Sequence, residues 1–211
     1  MKKFYFLFLF SIFFTANSQT YSFDFLTKYV SKDLKGNAQK DQVIYFNSDD
    51  FSYYLRLFRT PQSFYAILSD LKGRQTHVFD VVEQKNQGGI NFKFKYVESK
   101  KMLINKEKYK NFRFEFEEIS SDSLNLKIYN SKKAKRPTDE YSFIVKSANK
   151  PMFPMMRISA MFPFNDFSDL VLNRNVIVQK SKLTCRLHKC NCEIVLAEHK
   201  NVELDLKIPK S

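Results

Sequence analysis

Apolar and polar residues alternate one for one over long stretches of this chain, and that period restricts the fold more than any other feature. Phe92, Phe94 and Tyr96 are separated by Lys93 and Lys95, and Phe112, Phe114 and Phe116 by Arg113 and Glu115. Leu124, Leu126 and Ile128 alternate with Asn125 and Lys127, and Val202, Leu204, Leu206 and Ile208 with Glu203, Asp205 and Lys207. In a strand, successive side chains point to opposite faces, so each run offers one face to a core and the other to water. A helix would scatter the same residues around its circumference. Strands wetted on one side belong to antiparallel sheets.

Less regular strands are expected at about 21–28, 42–47, 51–59, 63–69, 75–83, 139–146, 175–185 and 192–199. Asp70-Leu71-Lys72-Gly73 suits a type I turn with glycine last. Ser120-Ser121-Asp122-Ser123 joins two runs whose apolar positions share a face, which reads as a hairpin. The segment 150–165 interrupts the pattern with Pro151, Pro154 and Pro163 among Met152, Met155, Met156 and Met161. Its prolines argue against a regular helix there, and its methionines and phenylalanines suit a gap in the core. A short helix is expected just after it, near 166–172, capped by Asn165 or Asp166. The fold class is therefore all-β: a single antiparallel domain of about ten to twelve strands, as a curved sheet, barrel or sandwich, with one short helix. A membrane-spanning barrel shares the alternation but needs strands of about nine to eleven residues with a clean lipid face, and several runs here are shorter.

The first eighteen residues read as an address. Lys2 and Lys3 precede the apolar run Phe4–Phe14, and Ala16-Asn17-Ser18 puts small residues where a signal peptidase cuts. Eleven residues at 1.5 Å each span about 16 Å, too little for about 30 Å of hydrocarbon. We expect 1–18 to be a signal peptide and 19–211 to be one exported β-rich domain, periplasmic or extracellular, with no transmembrane segment. Loss of the leader takes the net charge from +13 to +11, because it carries two lysines and no acid. Such a surface suits an anionic envelope partner, and nucleic acid is not expected behind a secretory leader. The basic run Lys132-Lys133-Ala134-Lys135-Arg136 reads as a solvated loop.

Cys185, Cys190 and Cys192 fall within eight residues between two strands. In an exported protein the expectation is a disulfide from Cys185 to Cys190 or to Cys192, with one thiol left over. The alternative is a metal-binding hairpin in which Cys185, Cys190 and Cys192 join His188, or His199 from the next strand, as a soft-metal set. The spacing C-x4-C-x-C matches no standard zinc module.

Catalytic signatures are missing. There is no Gly-x-Ser-x-Gly, His-Glu-x-x-His, P-loop or dinucleotide fingerprint, and four glycines leave little for a phosphate cradle. Glu115 and Glu117 share a strand face with Arg113 and read as a solvated ion-pair surface rather than a carboxylate pair. No cofactor and no catalytic residue are nominated. What remains is aromatic: Phe92, Phe94, Tyr96, Phe112, Phe114 and Phe116 line one side of two strands, as a packed core or as the wall of an apolar cavity. Three functions follow from these features: an exported β-domain holding a lipid or apolar small molecule in an aromatic-lined cavity, an envelope interaction or structural protein with a packed core, or a metal-binding protein built on the cysteine hairpin.

Overall fold

The computed structural model describes residues 19–34, 39–86, 89–103, 106–186 and 190–209. The leader expected at 1–18 lies outside the described residues. Eleven strands form one antiparallel sheet: β1 (Gln19–Asp33), β2 (Gln39–Asn47), β3 (Asp50–Arg59), β4 (Phe64–Asp70), β5 (Gln75–Asn86), β6 (Gly89–Lys101), β7 (Arg113–Ser120), β8 (Ser123–Tyr129), β9 (Asp139–Ser147), β10 (Val176–Cys185) and β11 (Cys190–Ile208). Their spatial order is β6-β5-β4-β3-β2-β1-β11-β10-β9-β8-β7, so the last strand docks on the first and the chain's middle supplies both edges. The sheet does not close, and β6 and β7 do not pair.

The alternating runs produce the strands they imply. The β7–β8 hairpin sets Phe114 opposite Ile128 and Phe116 opposite Leu126, turning at Ser121-Asp122. On its other face Arg113 pairs with Glu115, and Lys127 reaches Glu117 at 2.8 Å. These are the ion pairs expected of a solvated strand face.

Among the described residues there is one α-helix, α1 (Phe153–Ala160), and its place corrects the expectation at 166–172, where the chain makes turns instead. The prolines explain the shift. Pro154 sits in the first turn of α1, where no intrahelical partner exists for the missing N–H and the fixed φ is already helical. Pro151 precedes the helix and Pro163 follows it. Proline is costly in a helix interior, and none of the three is there.

Two cores form on opposite faces of the shared strands. The larger holds Met152, Phe153, Met155, Met156, Ile158 and Met161 between β8–β10 on one side and β1–β2 on the other. The methionines are thus core filling, all buried. The smaller core lies inside a curl made by β1–β6 and the C-terminal half of β11, and contains Tyr45, Leu55, Ala66, Leu68 and Phe79. Each fully buried side chain of this size contributes about 1.5–3 kcal/mol. β1 and β11 serve both cores by switching faces at register shifts. In β1, Tyr21 and Phe23 enter the curl, the register shifts between Phe23 and Phe25, and Phe25 then packs on the helix side. A second shift falls between Leu196, on the helix side, and Glu198. An extra residue flips the alternation, which is how a bulge re-aims a strand.

Candidate functional site

The sheet opens between β2 and β3. β2 and β3 pair from Asn47 and Asp50 as far as Val43 and Leu57. Beyond that pair they diverge: Gln39–Gln42 stay paired with β1, and Phe58 and Arg59 with β4. A cleft of about 800 Å³ fills the split. Its inner wall is apolar, with Leu26, Val43, Leu57, Phe64 and Phe92. Because the sheet is open here, residues of the helix-side face, Lys40, Gln42 and Arg56, line the same space.

The rim is basic. Lys28, Lys40, Arg56, Arg59 and Lys200 meet only Asp41 and Glu198 along the cleft. Lys28 pairs with Asp41 at 2.8 Å and Lys200 with Glu198 at 3.3 Å, while Arg59 pairs with Glu83 and lies over the Phe64 ring. The Lys28 partnership holds the Asp41 carboxyl below its ordinary range. Among the described residues, neither Lys40 nor Arg56 makes an ion pair. Arg56 donates one guanidinium N–H to Ile158 O at 2.7 Å, which ties α1 to β3, and its Nε is buried with no partner.

Of the aromatic residues nominated from sequence, Phe92 lines this cleft. Phe92 and Phe94 also face Val202 and Leu204 across a second opening of about 420 Å³, where the curl leaves β6 short of β11. Tyr96 completes that set against Phe79. Phe112, Phe114 and Phe116 lie at the opposite edge of the sheet and belong to the other core. Phe114 meets Phe164 and Phe167 at 5.5 and 5.4 Å, and Phe116 meets Phe153 at 5.4 Å. The six aromatic residues therefore form two separate sets, one beside openings and one under the helix segment.

The cysteine hairpin is described in part. Backbone register places Cys185 directly opposite Cys190, and Leu183 opposite Cys192. The Cys185 side chain is buried and that of Cys192 half-buried. His188 and the Cys190 side chain lie outside the described residues. His199 sits seven residues beyond Cys192 on the same strand, stacked on Phe25, so roughly 20 Å of strand separates it from the thiols. That distance removes His199 from the proposed metal set.

One polar network gave no signal in the sequence. Tyr21 donates to Asp70 Oδ2 at 2.8 Å, and its oxygen lies 3.4 Å from His77 Nε2. His77 Nδ1 lies 2.6 Å from Ser99 Oγ, which in turn lies 2.7 Å from the Tyr96 hydroxyl. With Nε2 protonated, Tyr21 and Ser99 each both accept and donate, and Tyr96 donates to Ser99. Asp70 also accepts from Gly73 N at 2.7 Å, and a Cβ at Gly73 would collide with its carboxylate. The network joins β1, β4, β5 and β6 at one end of the curl. Burial holds the His77 imidazole below its ordinary range, with Asp70 opposing. Burial together with Asp70 holds the Tyr21 hydroxyl protonated. The contacts span up to 56 positions, so no local pattern could reveal them.

No described helix is long and apolar enough to cross a membrane. No family model matches the chain, and no curated protein resembles it significantly in sequence.

Proposed function

We propose that this is an exported carrier or receptor for an apolar or amphipathic molecule, held in the cleft where β2 and β3 part. The observation that carries the reading is the split itself. A paired sheet would seal the curl, whereas here about 800 Å³ with an apolar wall of Leu26, Val43, Leu57, Phe64 and Phe92 opens outward past a basic rim. Small-molecule sites are concave and mostly apolar, with a few polar groups that fix orientation, and their volumes are about 300–1,000 Å³. The leader-like first eighteen residues support export.

Native mass spectrometry of the protein isolated from its own compartment tests this, together with uptake of dodecanol by the delipidated chain. A bound species that is extractable into organic solvent, and lost when Leu57→Trp fills the cleft, is the expected result. A bare chain that also takes up no dodecanol would remove the proposal.

A further inference from the structure

Beside Arg56, on the helix side, lies a smaller pocket of about 250 Å³. Lys40, Gln42 and Arg56 line both spaces, so the two adjoin at these side chains. We propose that this inner pocket takes the anionic head group of an amphiphile whose tail occupies the apolar cleft. The inference rests on the cleft-binding reading above.

Three observations carry it. First, among the described residues the pocket's lining has two cationic side chains, Lys40 and Arg56, and no carboxylate. Second, two polar atoms there are buried without a partner: Arg56 Nε and Ser159 Oγ. Ser159 is only 4% exposed. A buried polar group normally has a partner, and an anion that reached either atom would supply one. Third, two of the neighbouring polar groups are already committed. Tyr29 donates to Val178 O at 2.8 Å, and the Asn165 amide to Ile158 O at 3.2 Å. The other donors in the lining are those on Arg56, Lys40, Gln42, Ser31 and Ser159. A guanidinium, an ammonium and a hydroxyl form the donor set that a phosphate or carboxylate requires. Phe162, 82% exposed, stands at the pocket's rim and adds apolar surface beside the charge.

The shared chemistry is a compact oxyanion, and lipid-borne and free anions are told apart by experiment. Displacement of a bound fluorescent fatty-acid analogue is measured on the full mature chain with dodecyl phosphate, dodecanol and inorganic phosphate. Dodecyl phosphate should displace the probe at a concentration roughly tenfold below dodecanol, the worth of one charge-assisted hydrogen bond. Inorganic phosphate should not compete. Lys40→Gln and Ser159→Ala should each shrink that preference, and Arg56→Gln should abolish it. Arg56 also anchors α1, so Lys40, which is exposed, provides the variant that leaves folding untouched. If dodecanol and dodecyl phosphate compete equally, the cleft stands and the head-group pocket falls. If neither competes, the cleft reading itself has failed and takes this one with it. If inorganic phosphate competes as well as dodecyl phosphate, the pocket takes a free anion and the amphiphile assignment is wrong.

Discussion

Tyr45 and Phe46 are adjacent in β2, both are buried, and they belong to different cores. Phe46 packs against Phe51 on the helix side, while Tyr45 meets Phe23 and Phe94 inside the curl. Burial of the Tyr45 ring pushes its hydroxyl up to about 12. A strand buried on both faces cannot alternate, and β2 does not: Val43, Ile44, Tyr45 and Phe46 run as a continuous apolar stretch. β2 is therefore the partition between two cores that share one sheet.

That arrangement makes a prediction about cooperativity. Leu55 lies in the curl and Leu126 in the helix-side core, both fully buried. Leu55→Ala and Leu126→Ala should each cost about 2–5 kcal/mol. Their effects should add to within about 0.5 kcal/mol, because the two clusters share no member. Urea unfolding should show one transition moved by both changes, since β1, β2 and β11 are common to the two cores. Two transitions, each shifted by only one variant, would show the halves to be independent.

The strands were legible because their evidence is local. Period-two runs such as Val202–Ile208 need no knowledge of the partner strand, and the β7–β8 turn was marked by its own serines. The site was not legible, because it depends on where pairing stops. Nothing in Gln39–Gln42 or Phe58–Arg59 says that these residues lose each other after Val43 and Leu57. Phe92 could be nominated as a cavity residue, whereas Arg56 and Ser159, separated by about a hundred positions and brought together by α1, could not. The helix was misplaced for a related reason. Counting prolines ignores position, and a proline in the first turn favours a helix that the same residue would break further along.

The leader makes a separate prediction. Protein from the cell envelope should begin at Gln19, or at the pyroglutamate that an N-terminal glutamine forms. Edman or mass-spectrometric sequencing of the mature N-terminus reads this directly. An intact Met1 on envelope-associated protein would disprove export by cleavage.

The cysteine register sharpens the disulfide expectation to one pair. Directly opposite residues on antiparallel strands have Cα atoms about 4.5–5.5 Å apart, within the range a disulfide bridges. Cys185 and Cys190 are so placed, and Cys192 is opposite Leu183 instead. Thiol–disulfide exchange with an oxidised dithiol protein of the envelope would join Cys185 to Cys190, while the two thiol protons and two electrons pass to the donor disulfide. Peptide mapping without reduction should recover the 185–190 link and one titratable thiol per chain. The bridge should add about 2 kcal/mol, since the closed loop is short. A 185–192 link, or three titratable thiols with bound zinc or copper, would reject this pairing.

His77 gives the pH dependence. The folded imidazole titrates below its ordinary value of 6.5, first because burial penalises its charge, with Asp70 opposing. In the unfolded chain the same group takes up a proton near pH 6.5. Between the two values the unfolded state binds more protons, so stability rises with pH there. The full contribution is present above about pH 6.5 and is lost as the pH falls toward the folded value. Protonation would also turn Nδ1 into a donor facing the Ser99 hydroxyl, reversing one link of the chain that joins Tyr96 to Asp70. Thermal melts of the wild type should therefore lose stability between pH 7 and pH 5 more steeply than those of His77→Gln, which cannot take up the proton. Tyr21→Phe, which keeps the ring but removes the hydroxyl between His77 and Asp70, should weaken the curl while leaving an acid slope. Equal slopes for the wild type and His77→Gln would place the acid sensitivity elsewhere and leave the Tyr21–His77–Ser99 chain with a purely architectural part.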